Sequence, residues 1–229
     1  MGVIPLGDAD RRPVKFPIVT TLLIAANFIV FFIELAYGAP FIERWSLKPA
    51  QVVTGHQWGT IITAMFMHAG WLHILGNMIF LWAFGPDIED TMGRFRYFAF
   101  YIIGGIAAFI AQIAMNPHSD VPNLGASGAI AAVMGAFLVT FPRDRIRTLL
   151  FLFIFITIAF IPAALLVAVW FVLELFSEVG ALVHKQSAGI AYMAHIGGII
   201  YGAIFGRIFE IGGHAPPPTP PPPRPYDGF

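Results

Sequence analysis

Residues 125–141 read GASGAIAAVMGAFLVTF, a stretch with no charge and with hydroxyls only at Ser127 and Thr140. Such a run suits a hydrocarbon interior, yet residues 126–141 fall short of the about 20 that an untilted bilayer crossing needs. A helix there has to begin below the membrane surface, with Ser127 in its first turn. A polar group at that depth needs a reason, because lipid offers it no hydrogen-bond partner.

The whole chain fits a membrane setting. Hydrophobic residues make up 58% of its 229 residues and charged residues 11%, against roughly 45–50% and about 25% in soluble domains. Mean hydropathy is +0.77. The lipid bilayer is therefore the expected surrounding, and the formal net charge of zero gives no reason to expect a nucleic-acid partner. Without cysteine the chain has no disulfide, thiol nucleophile or cysteine-held metal, and no cofactor or metal is expected. At around 20 residues per span there is room for about six spans in one domain.

Apolar runs put the spans at residues 16–37, 71–84, 95–115, 126–141, 161–176 and 188–209. The first is read as a retained helix, since no small-residue cleavage site follows it. The fifth is the far part of an apolar run, 149–176, that Pro162 interrupts, with an interfacial or irregular stretch before it. The expected fold is an all-α six-transmembrane-helix bundle at residues 16–209. A cytoplasmic segment, 1–15, precedes it, and a proline-rich cytoplasmic tail, 210–229, follows. Residues 215–225 are polyproline-like, read as disordered on composition, and of a kind that also docks aromatic-lined grooves as a weak partner site.

Lysine and arginine set the orientation. With the N-terminus inside, the inner side collects Arg11, Arg12, Lys15, Arg94, Arg96, Arg143, Arg145, Arg147, Arg207 and Arg224, and the outer side only Arg44, Lys48 and Lys185. Both termini are then cytoplasmic, and Ser127 and His195 lie toward the outer side at similar depth. Ala194, Gly198, Gly202 and Gly206 recur every four residues, and Ser127, Ala131 and Gly135 form a matching stripe. Stripes of small residues let two helix backbones approach closely in lipid, which would bring His195 to Ser127. A buried serine bonded to its own helix is the plainer alternative. His73 and Asn77, one helical turn apart at the start of the second span, add an imidazole and an amide, donors suited to a developing oxyanion. Interhelical glue is the alternative for that pair.

The motifs G-x-S-G at Gly125–Gly128, A-H-x-G-G at Ala194–Gly198 and H-x4-H-x3-N at His68–Asn77, in this combination, resemble the rhomboid family of intramembrane serine proteases. The likeness covers about residues 16–209. It implies an enzyme that hydrolyses peptide bonds in or beside transmembrane segments of other proteins, with Ser127 as nucleophile and His195 as general base. It also implies oxyanion stabilisation by His73 and Asn77 with the backbone N–H at the serine. Glu89 and Gly93 resemble the family's E-x3-G loop, for which a structural role is expected. A short core of this kind suggests a bacterial inner membrane. Many bacterial members carry a Trp-Arg pair in the first loop, whereas this chain has Arg44-Trp45, so no functional residue is assigned there.

Serine is a weak nucleophile until a base takes its proton, and His195 would take it and later return one to the leaving amine. No carboxylate neighbours His195 in sequence, which points to a dyad, with the imidazole steadied by packing from Tyr201 or Tyr192. The family picture admits substrate between the second and fifth helices, where Leu165, Trp170 and Phe171 lie. Two rivals are a rhomboid-like pseudoprotease that binds transmembrane clients without cleavage and a small transporter. The first typically lacks part of the pair present here, and the second predicts inverted repeats that the sequence does not display.

Overall fold

The computed structural model describes residues 2–152, 155–172 and 192–212. In chain order these form β1 (Gly2–Asp8), α1 (Ile18–Tyr37), three short helices α2 (Ala39–Trp45), α3 (Pro49–Val53) and α4 (Thr60–Thr63), and a 3-10 turn (Ala64–Phe66). There follow α5 (Trp71–Met92), α6 (Arg94–Met115), α7 (Ser127–Thr140), β2 (Arg145–Leu152), β3 (Phe155–Pro162), α8 (Ala163–Val172) and α9 (Tyr192–Phe209). The protein is a mostly helical integral membrane protein. Helices α1, α6 and α9 are long and apolar enough to cross a bilayer, and Thr60–Phe66 with α5, bent by 90°, makes a fourth span if counted as one. Helices α7 and α8 are apolar but shorter. Residues 173–176 and 188–191, expected to end the fifth span and begin the sixth, lie outside the described residues, as does the tail from residue 213 onward.

Helix α7 is the axis of the bundle. Every residue from Ser127 to Phe137 is buried, because α5, α6 and α9 pack around it. Its small side chains allow the close approach. A Cβ on Gly198 of α9 would lie 2.2 Å from the Gly128 carbonyl oxygen, and one on Gly202 would lie 2.0 Å from that of Ala132. The two helices thus touch backbone to backbone, and packing contact replaces the hydrophobic drive that lipid cannot supply.

Helix ends inside this apolar body need acceptors, and two buried carboxylates supply them. Glu89 of α5 accepts the backbone N–H groups of Val19 (2.9 Å) and Thr20 (2.8 Å) and the Thr20 hydroxyl (2.8 Å), so it caps the start of α1 from another helix. The Glu89 carbonyl also accepts the N–H of Gly93 (2.8 Å), whose φ of +79° makes the sharp joint between α5 and α6. Glu34 of α1 accepts the His68 N–H at 3.0 Å and holds the bend before α5.

Two expectations need correction. The fold is not all-α: β1, β2 and β3 form an antiparallel sheet in that order, with Gly2 opposite Phe151 and Leu152 opposite Phe155. The run before α8 is rich in β-branched and aromatic residues, which favour strands, and β2 pairs with the N-terminal residues from far off in sequence. Helix α5 does not end near Phe84 but continues through Pro86 to Met92, since its polar end is buried against the rest of the protein. The first loop is helical, and the Arg44 guanidinium lies 5.4 Å from the neighbouring Trp45 ring.

Gly202→Ala is expected to cost about 1–3 kcal/mol by overpacking against Ala132, read as a lower melting temperature of the purified protein in detergent; an unchanged melting temperature would refute the close contact. Removing the cap in Glu89→Ala leaves the Val19 and Thr20 N–H groups at the start of α1 without an acceptor, about 1–3 kcal/mol for each that stays buried, while the Thr20 hydroxyl keeps Tyr97 Oη at 3.3 Å. Glu89→Gln keeps one acceptor oxygen, so its melting temperature is expected to lie between those of wild type and Glu89→Ala.

Candidate active site

Ser127 is the first residue of α7, and the turn before it is made by Gly125, which has φ +135° and donates its N–H to the Ala64 carbonyl at 2.9 Å. That backbone conformation is one L side chains rarely adopt, which explains the glycine two residues ahead of the serine. Ser127 Oγ lies 2.7 Å from His195 Nε2, and both residues are buried. The contact follows directly from the α7–α9 packing: Ala194, beside His195, sits against Gly128, beside Ser127.

The His195 ring meets Trp170 of α8 edge to face at 5.3 Å between centroids. Of the tyrosines expected to steady this imidazole, Tyr201 packs instead on Phe100 and Phe205. Trp170 was legible only as a bulky residue of the fifth apolar segment. It also touches Phe80 of α5 at 5.7 Å, so one indole connects the His195 ring to the junction of α5 and α8. No carboxylate is hydrogen-bonded to His195 among the described residues. Glu34 and Glu89 serve backbone groups elsewhere, and Glu174 lies outside the described residues.

His73 and Asn77 open α5 on one face of the helix. His73 Nδ1 accepts the Ala69 N–H at 3.3 Å, so a neutral ring carries its proton on Nε2. A Cβ placed on Gly125 would lie 3.0 Å from His73 Nε2 and 3.5 Å from Ser127 Oγ. The missing side chain therefore leaves a space that the Nε2 donor faces and that adjoins the serine hydroxyl. Asn77 is buried, and its Nδ2 has no hydrogen-bond partner among the described residues. An unpaired buried amide is costly, and such groups mark either strain or a place for a ligand atom. The start of α7 adds N–H groups that have no acceptor in their own helix, since Ile130 makes its first intrahelical bond, to Ala126. His68 packs its ring edge-on against His73 at 5.0 Å, while its backbone N–H is the group that Glu34 holds. Among the described residues no three His, Asp or Glu side chains converge as metal ligands would. A hydroxyl bonded to an imidazole, with the His73 donor facing an adjacent space, has parts suited to acyl transfer.

The chain is similar to known proteins. The family model described as "Rhomboid domain" matches residues 55–210. Rhomboid protease GluP of Bacillus subtilis is 30% identical over 133 residues, 56% of this chain and 26% of that protein. The mitochondrial Rhomboid protein 1 of Saccharomyces cerevisiae is 29% identical over 196 residues, 80% of this chain and 51% of that protein. The mitochondrial presenilin-associated rhomboid-like protein of Homo sapiens is 25% identical over 198 residues, 80% of this chain and 46% of that protein. The chain matches between about a quarter and about a half of the length of these three relatives. The matched region takes in α4 through α9 with Ser127, His195, His73 and Asn77, and on that ground the chain belongs to the rhomboid family.

Proposed function

We propose that this protein is a serine-type endopeptidase that hydrolyses peptide bonds in or near the transmembrane segments of other membrane proteins. The observation that carries the proposal is the buried 2.7 Å contact between Ser127 Oγ and His195 Nε2, with His73 Nε2 facing the space in front of Gly125 that adjoins the serine hydroxyl. In this reading Ser127 Oγ attacks the scissile carbonyl as His195 Nε2 takes the hydroxyl proton. The resulting oxyanion occupies the space in front of Gly125, where His73 Nε2–H, Asn77 Nδ2–H and the first N–H groups of α7 receive it. As the tetrahedral intermediate collapses, His195 delivers its proton to the leaving amine and the acyl group stays on Ser127. A water then attacks the ester, His195 takes its proton, and breakdown returns that proton to Ser127 and frees the new carboxylate.

The pair works as a dyad, with Trp170 holding the imidazole by packing, the orienting one of the two tasks a carboxylate has in triads. The unit comprises residues 16–209 with six membrane-crossing segments, between a cytoplasmic segment 1–15 and a proline-rich cytoplasmic tail 210–229. The asymmetry of lysine and arginine supports cytoplasmic termini. We assign it to a bacterial plasma membrane, which the similarity to the Bacillus subtilis protein supports. The pseudoprotease alternative is disfavoured by the intact, hydrogen-bonded pair.

Purified protein in detergent or liposomes, given a serine-reactive phosphonate probe and a model transmembrane substrate, tests the assignment. Ser127→Ala and His195→Ala are expected to lose labelling and to lower cleavage by about 10⁴-fold or more. Labelling and cleavage equal to wild type in Ser127→Ala would end the protease reading. For the oxyanion donors, Asn77→Ala and Gly125→Ala are each expected to lower kcat by about 10²–10³-fold, the first by removing a donor and the second by filling its target space. A rate unchanged in a folded Asn77→Ala protein would reassign Asn77 to interhelical bonding.

A further inference from the structure

At the end of the bundle away from Ser127, the N-terminal segment, the second half of α5 and the sheet enclose a cleft of about 1050 Å³. Its lining carries the cations Arg11, Arg12, Lys15, Arg145 and Arg147 against the carboxylates Asp8, Asp10 and Asp87. Arg11 is paired with Asp144 and Arg145 with Asp10. Arg12, Lys15 and Arg147 make no ion pair among the described residues. The Asp8 carboxyl is pushed up to about 7, mainly by burial and also by the nearby Asp144, so it carries less than a full charge near neutral pH. The balance of the cleft is positive.

The other side of the cleft is apolar and faces outward. Trp82 is 44% exposed on α5, and Phe16, Val14 and Phe160 line the same space with more than half of their surface open. Arg147 stands opposite Phe160 in the β2–β3 register, so cation and ring share one face of the sheet. A cleft with cations on one lip and exposed rings, Trp82 of α5 among them, on the other suits an amphiphile. A soluble anion would use only the first lip.

We infer that this cleft binds the headgroup of an anionic phospholipid, with the phosphate at Arg12, Lys15 and Arg147 and the upper acyl chains along Trp82 and Phe16. The arginine-rich end faces the cytoplasm under the positive-inside rule, so the lipid belongs to the inner leaflet. Helix α5 runs from this cleft at Trp82 and Asp87 to His73 and Asn77 at its other end.

The test uses the full chain in detergent micelles doped with phosphatidylglycerol or phosphatidylcholine, with retained lipid counted by native mass spectrometry. Wild type is expected to retain phosphatidylglycerol at least about tenfold more tightly than phosphatidylcholine, given the attraction of each nearby cation for an anionic lipid. The triple variant Arg12→Gln/Lys15→Gln/Arg147→Gln is expected to lose that preference, and the charge-keeping Arg12→Lys/Arg147→Lys to keep most of it. Equal retention of the two lipids by wild type overturns the inference without recourse to any variant. Full retention in the folded triple variant also overturns it. Displacement of the lipid by millimolar glycerol phosphate would make this a soluble phosphate site and overturn the commitment to lipid.

Discussion

The backbone contact between α7 and α9 is the constraint on which the rest of this protein depends. In water two helices are driven together by the apolar surface they hide, but in lipid that drive is absent and association rests on how closely the helices fit. Here Gly198 and Gly202 are pressed onto the carbonyls of Gly128 and Ala132 so tightly that no side chain could stand between them. The register of that contact places Ala194 on Gly128 and therefore His195 on Ser127. The 2.7 Å hydrogen bond is thus a result of glycine placement along two helices, and the polar pair is held by the apolar surface around it.

A second constraint follows from the same solvent. Lipid cannot hydrogen-bond a helix end, so wherever the chain breaks its helical path inside the bundle an acceptor must be brought from elsewhere. Glu89 serves the start of α1, and Glu34 serves the bend ahead of α5. Each lies on one helix and caps a different segment, so the pair also ties α1 to α5 at both ends. This explains how carboxylates 3% exposed persist in a span without acting in chemistry. It also gives the E-x3-G element a physical content: the side chain caps one helix, while the backbone of the same residue meets the glycine at the next joint.

What was legible in the sequence was whatever one segment carries by itself. The small-residue stripes, the short polar-ended run of α7 and the one-turn spacing of His73 and Asn77 depend on local spacing, and the structure places those residues as that spacing suggests. The three-stranded sheet was not legible, because residues 2–8 have no partner until β2, and the apolar run before the fifth span reads by hydropathy as an interfacial or irregular stretch. The extension of α5 to Met92 was hidden for a related reason: Asp87, Glu89 and Asp90 look like the end of a span until the residues they serve, such as Val19 and Thr20, are known. The ring that packs on His195 belongs to a helix far away in sequence, and nothing in the pattern around Trp170 singles it out from its bulky neighbours.

Trp170 also bears on how the proposed dyad would work without a carboxylate. A third acidic residue in a triad performs two tasks, fixing the imidazole's orientation and stabilising its charged form. An edge-to-face indole can perform the first, since such ring pairs have a preferred geometry, and an electron-rich aromatic face contributes to the second when turned toward the cation. The arrangement here has a further consequence, because the same indole touches Phe80 of α5. Any separation of α5 from α8 wide enough to admit a polypeptide must move one side of the Trp170 packing. The packing of His195 is thereby joined to the contact between α5 and α8, the place where the family resemblance would put substrate entry.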